Sequence, residues 1–256
     1  NRMILLKEKV KAWLGPIWWY SAVMFCVQRF GDVINLYTGL WLIPKWVSPA
    51  ELGALLPLTQ IGSFLGLPLA ILLTPFAKFI NTFGAKGENG KVKALVTDAF
   101  WLTSVSAVII GAYTWFSAPL IFARLRIGNA SLAWLLCGVA VTSVFMPIMN
   151  SALQALKLFR NMGVAGLTSA PVRLVVLLLL LPIAGLLGYF FAQMTMNIVI
   201  LGVGFWGLRR LVSHSVQRES YYDHLKEMVQ YTLPVAFIMS ANTVATTVQY
   251  FVIRQR

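Results

Sequence analysis

The 256-residue chain is 59% hydrophobic and only 11% charged, with a mean hydropathy of +0.76, against about 45–50% apolar and about 25% charged residues in ordinary soluble domains. That balance excludes a water-soluble enzyme. A net charge of +13 would suit nucleic acid, but the basic residues form no single patch; they sit in short clusters between long apolar runs, which argues against a nucleic-acid partner and follows the positive-inside pattern of membrane insertion.

A helix that crosses the hydrocarbon core needs about 20 mostly apolar residues, and seven such runs occur. They predict an all-α integral membrane protein with spans near 18–43, 52–74, 94–115, 132–153, 167–187, 189–208 and 231–253. The links between them set the orientation, because Lys and Arg in short loops stay on the cytoplasmic side. Arg2, Lys7, Lys9 and Lys11 precede the first span; Lys78, Lys86, Lys91 and Lys93 separate the second from the third. Lys157, Arg160 and Arg173 follow the fourth, and Arg209, Arg210, Arg218 and Lys226 follow the sixth. The other side carries only Lys45, Arg124, Arg126, Arg254 and Arg256. The amino terminus is therefore predicted to be cytoplasmic, in a multi-pass protein of the cytoplasmic membrane surrounded by membrane lipids. Seven spans then leave the carboxyl end outside directly after an apolar helix, and the chain starts at Asn1, so it reads as a partial polypeptide.

The longest polar stretch, 209–230, mixes both charge signs with Tyr221, Tyr222, Leu225 and Met228. It reads either as a short amphipathic surface helix or as a solvated linker. Both readings divide six helices (1–208) from the helix of 231–256.

Charges inside a spanning helix cost several kcal/mol unless they face a cavity or a partner. In the first span, at about 100° per residue, Ser21, Gln28, Arg29, Asp32 and Asn35 fall within about 60° of the direction of Asp32. Arg29 and Asp32 stand three apart and can pair with each other. Alternatively the stripe lines a hydrated cavity in which Arg29 meets an anionic group and Asp32 tunes it or exchanges a coupling cation. Guanidinium suits phosphate because its planar fork donates two hydrogen bonds and it keeps its charge at any relevant pH. Arg173 in the fifth span is a second cationic candidate, or else snorkels to headgroups. Asp98 reads as interfacial. The candidate substrate-binding set is thus Gln28, Arg29, Asp32, Asn35 and Arg173.

Weaker polar rows, Asn150–Gln154–Lys157, Gln193–Asn197 and Ser240–Thr243–Thr247, are accounted for by interhelical hydrogen bonds. Pro147, Pro171, Pro182 and Pro234 can kink helices where backbone lines a cavity. No HExxH, P-loop, GxSxG or CxxC motif occurs, so no catalytic residue, metal site or cofactor is expected. Cys26 and Cys137 lie in apolar runs and read as buried structural thiols. His214 and His224 share one polar linker. The sequon at Asn129 carries no weight.

Several segments together resemble the polysaccharide-biosynthesis flippases of the multidrug/oligosaccharidyl-lipid/polysaccharide exporter superfamily. They are Gly31-Asp32-Val33, the loop NTFGAKGENGKVKAL over 81–95, Leu153-Gln154-Ala155-Leu156 followed by Phe159-Arg160, and EMVQYTLP over 227–234. The resemblance covers nearly the whole chain. It implies two six-helix lobes around a central cavity, of which this chain supplies the first lobe and one helix of the second, 209–230 being the cytoplasmic inter-lobe linker. It also implies transport, not bond making: a polyprenyl-diphosphate-linked oligosaccharide moved across the cytoplasmic membrane by alternating access for cell-surface polysaccharide synthesis, with Arg29 as the cationic cavity residue. The lipid II branch has Arg directly before the matching Asp; Gly31 stands there here, which points away from the peptidoglycan precursor. A cation-coupled multidrug antiporter of the same superfamily is the alternative. A membrane glycosyltransferase or a scaffold is the third reading, and the loops are too short to hold the acidic and metal-binding groups a transferase needs.

Overall fold

The computed structural model describes residues 25–125, 132–212 and 217–254. Among the described residues the chain is all-helical. The first part of the first predicted span, with Ser21, and Arg2, Lys7, Lys9, Lys11, Arg126, Asn129, His214 and Arg256 lie outside them, as do the side chains of Arg124, Arg210, Thr243, Thr247 and Arg254.

Ser48 starts the first complete helix. Its hydroxyl accepts from the Glu51 backbone N–H at 3.3 Å while the Glu51 carboxylate takes the Ser48 N–H at 3.2 Å, a reciprocal capping box with Pro49 at the first helical position. This helix, α2, covers Pro49–Ala85. Before it, α1 is helical over 25–46, with a π turn at Thr38–Leu42 and a closing turn at Ile43–Trp46. After it come α3 (Asn89–Leu125), α4 (Leu132–Ala155), α5 (Phe159–Ala184), α6 (Leu186–Val212), a 3₁₀ turn at Tyr222–His224 and α7 (Leu225–Arg254).

The seven predicted segments are thus all present as helices, but several run past their predicted ends. α2 continues to Ala85, and α5 begins at Phe159 instead of near 167. An apolar run marks only the part of a helix that sits in hydrocarbon, and hydrogen bonding continues into polar sequence beyond it. The α5–α6 break falls at Gly185, whose φ of 51° ends α5, a few residues before the predicted position. Pro147, Pro171, Pro182 and Pro234 all lie inside unbroken helices. Among the described residues, five helices are long and apolar enough to cross a membrane, through Leu67–Ala85, Asn89–Leu120, Leu132–Gln154, Phe159–Ala184 and Leu186–Arg209. In α7, Ser240, Asn242, Thr243, Thr246 and Thr247 dilute the apolar run.

α4 packs against α2, α3 and α6; α5 and α6 lie along each other; α7 rests on α2. At one end, Leu42 and Ile43 from α1 and Val47 just after it join Leu177, Leu181, Leu186 and Phe190 in one buried cluster. At the other, Phe79, Phe83, Val92 and Leu95 surround Tyr221 and Met228. Large apolar side chains on the periphery remain exposed, Ile183 at 84% and Phe116 at 79%, as a surface bathed in lipid requires.

Candidate functional site

α1 meets α5 in parallel register through small residues. A β-carbon on Gly31 would lie 3.9 Å from that of Ala170, and one on Gly166 would lie 2.9 Å from Val27 Cγ1. Small residues let two backbones approach where lipid offers no hydrophobic drive to pair. Two turns beyond Gly166, this register brings Arg173 to α1: its Nη1 donates to Asn35 Oδ1 at 2.6 Å.

Arg173 sits in the middle of α5, about 21 Å along the helix from Phe159 at about 1.5 Å per residue. The helix starts earlier than the predicted 167, which moves Arg173 from near its beginning to near its middle. Its guanidinium carbon stands 5.6 Å from the centre of the Tyr189 ring, and its buried Nε has no hydrogen-bond partner among the described residues. A guanidinium with one neutral oxygen acceptor keeps donors that an anion could take.

Arg29 and Asp32 pair with each other, Nη1 to Oδ2 at 3.0 Å, and both side chains stay open, 64% and 60% exposed. Arg29 also lies 4.9 Å over the Phe25 ring. The internal pair predicted from their spacing therefore forms. It leaves most guanidinium donors and one carboxylate oxygen facing outward. Gln28 and Asn35 are exposed on the same helix. Four of the five predicted residues thus share α1, and Arg173 joins them through Asn35.

That link was not visible in the sequence reading, although the small-residue spacing of Gly166 and Ala170 on α5 was its signal. A second link was also missed. Asp98, expected at the lipid interface, accepts two hydrogen bonds from Arg218 Nη2, at 2.6 and 2.9 Å, and one from the Tyr221 hydroxyl at 3.1 Å. Burial, and after it the negative charge of Asp98, pushes the Tyr221 phenol above its ordinary value of 10.0, so it remains a donor. The stretch read as an amphipathic helix or a solvated linker is therefore docked through Tyr221, and among its described residues the turn Tyr222–His224 leads into α7.

Of the weaker rows, Asn197 is buried and donates to Thr142 and Ser143 Oγ atoms at 3.1 Å each, the interhelical bonding expected. Cys26 is exposed and Cys137 half-buried, so the buried-thiol reading of Cys26 is corrected: its helix face is left open among the described residues. His224 faces Glu227 at 3.4 Å and the Phe83 ring at 5.2 Å between centroids. Among the described residues no group of three His, Cys, Asp or Glu could hold a metal ion.

No family model and no curated protein matches the sequence. Solved structures do match. An outward-facing multidrug resistance MATE family transporter of the MOP superfamily superposes with a TM-score of 0.66 at 16% identity, over 88% of this chain and 52% of that one. A MOP superfamily transporter from Pyrococcus furiosus, described as having a binding pocket of reverse polarity that suggests a different function, gives 0.65 at 16% identity with the same coverage. A MATE protein carrying a proline-to-alanine substitution gives 0.65 at 18% identity, again over 88% and 52%. The chain spans about half the length of these transporters. At such identities the likeness establishes the fold alone, an all-helical arrangement matching about half of these proteins.

Proposed function

We propose that this chain is the first lobe, with the opening helix of the second, of an alternating-access transporter that carries an anionic, lipid-linked substrate across the cytoplasmic membrane. In this reading 1–208 is the first lobe, 209–230 the cytoplasmic linker and 231–256 the start of the second lobe, with the amino terminus cytoplasmic as the loop charges favour. The observation that carries the substrate class is Arg173: a permanently charged fork, deep in α5, held by the neutral Asn35 and not by a carboxylate. A polyprenyl diphosphate has the charge and the acceptor oxygens for such a fork. Arg29 supplies a second cation on the same face, and the oligosaccharide would occupy the space between lobes while the polyprenyl tail stays in lipid.

The second reading is a cation-coupled multidrug transporter, and the fold supports it at least as well, because two of the three solved structures are described as MATE proteins. Its chemical requirement is an acid accessible from the cavity. Asp32, 60% exposed, is the residue for it.

Reconstituting the full-length protein in liposomes with a fluorescent polyprenyl-diphosphate oligosaccharide, and separately with a cationic dye, tests both. Translocation of the glycolipid that drops at least about tenfold in Arg173→Ala and Arg29→Ala supports the first reading. Dye transport that depends on Asp32, with no movement of the glycolipid, overturns it in favour of the second.

A further inference from the structure

The linker before α7 is bound to the base of the α2–α3 hairpin at several points. The Glu219 N–H donates to the Gly90 carbonyl at 3.3 Å. A β-carbon at Gly90 would come within 2.6 Å of the Glu219 side chain and 2.8 Å of the Gln217 carbonyl, so the linker lies directly on the start of α3. About two turns further on, Asp98 takes the double hydrogen bond from Arg218 and the third from Tyr221. The Tyr221 ring and Met228 are then buried against α2 and α3. From this anchor α7 runs onto α2, with Lys78 Nζ 3.8 Å from the centre of the Tyr231 ring and the Thr74 hydroxyl 3.9 Å from Met239 Sδ.

These contacts differ in kind. A lysine over a ring and a hydroxyl beside a thioether tolerate sliding, whereas a carboxylate held by a guanidinium and a phenol is directional and charge-assisted. Beyond Tyr231, Leu233, Phe237 and Ile238 are exposed. The firm attachment of α7 to the first lobe is therefore its linker end, and α2 is the helix of that lobe on which it rests.

We propose that Asp98, Arg218 and Tyr221 form a latch that holds the α2–α7 seam closed at the end of the bundle bearing the α2–α3 turn, and that its release opens the inter-lobe cavity on that side. This inference rests on the reading of the chain as part of an alternating-access transporter. Separation of α7 from α2 has to strain or break the linker's hold on Asp98, and the latch energy biases the two access states without contacting the transported molecule.

The test uses the full-length protein with Cys26 and Cys137 replaced by alanine and a single reporter, Gln28→Cys, on the polar face of α1. Modification of that thiol by a membrane-impermeant maleimide is timed in proteoliposomes from each side. Asp98→Asn and Arg218→Gln are each expected to speed modification from the side of the α2–α3 turn at least about threefold, and the charge exchange Asp98→Arg/Arg218→Asp to return it toward the starting rate. Melting temperature and elution profile confirm that each variant is folded. Equal rates in all four proteins, with the thiol reachable from at least one side, overturn the latch and leave the transport reading standing. A thiol that is never modified from either side overturns the cavity on which both depend.

Discussion

Arg173 and Asn35 make the charge balance of the proposed site depend on one neutral amide. Replacing Asn35 by Asp would set a carboxylate where a neutral oxygen now stands 2.6 Å from the guanidinium, and would compete for it with any anionic ligand. Asn35→Leu would remove the hydrogen bond while leaving the positive charge unopposed. The expected result is a loss of anionic-substrate affinity of about tenfold or more in Asn35→Asp and a clearly smaller loss in Asn35→Leu, read by titrating a fluorescent diphosphate lipid. Equal losses would mean that geometry and not charge matters at this position. The helical face of Gln28, Arg29, Asp32 and Asn35 could be read from spacing alone, because a helix fixes which side chains share a side. Arg173 could be seen only as a cation in an apolar run, since its partner lies on another helix. Tyr221 carries a separate prediction. Its phenol is raised above 10.0 when docked, so docking is at full strength below that value and weakens as pH climbs past it, because the released phenol ionises more readily than the buried one. Protease cleavage of the linker should accelerate as pH is raised above about 10, and in Tyr221→Phe this pH dependence should be reduced.

The seam between α1 and α5 is what places that charge. Val27 faces Gly166, Gly31 faces Ala170 and Asn35 faces Arg173, a run of matched steps that fixes how far α1 is slid along its partner. Gly166→Val would force branched methyl groups into a space where even a β-carbon approaches Val27 Cγ1 to 2.9 Å, and overpacking of this kind costs about 1–3 kcal/mol. Gly202→Val is the matched comparison, since a β-carbon there meets nothing within 4 Å. A clear drop in melting temperature in detergent is expected for the first and little for the second; similar drops in both would show that helix propensity and not the seam dominates. The existence and order of the helices followed from apolar run length, which is set by membrane thickness. Their ends did not: the Ser48–Glu51 capping box starts α2 before its apolar run, and Gly185 ends α5 within one. Local backbone chemistry decides those positions, and hydrophobicity does not register it.

For the molecule as a whole, the side of the membrane on which each turn lies decides where a substrate made in the cytoplasm would enter. The basic turns between α2 and α3 and between α4 and α5 share one end of the bundle with the docked linker, and Lys45 closes α1 at the other. Cysteine labelling can read this directly in a background lacking Cys26 and Cys137. A thiol at Asn89→Cys, exposed at the start of α3, is expected to react only from the cytoplasmic face of sealed membranes, and one at Lys45→Cys only from the opposite face. The reverse pattern would put the latched end of α7 outside. A lipid-linked glycan assembled in the cytoplasm would then have to load at the Lys45 end, past the exposed Tyr37, Trp41 and Trp46 of α1, and closure at the linker would block exit instead of entry. The same latch would then act on the opposite step of the proposed cycle.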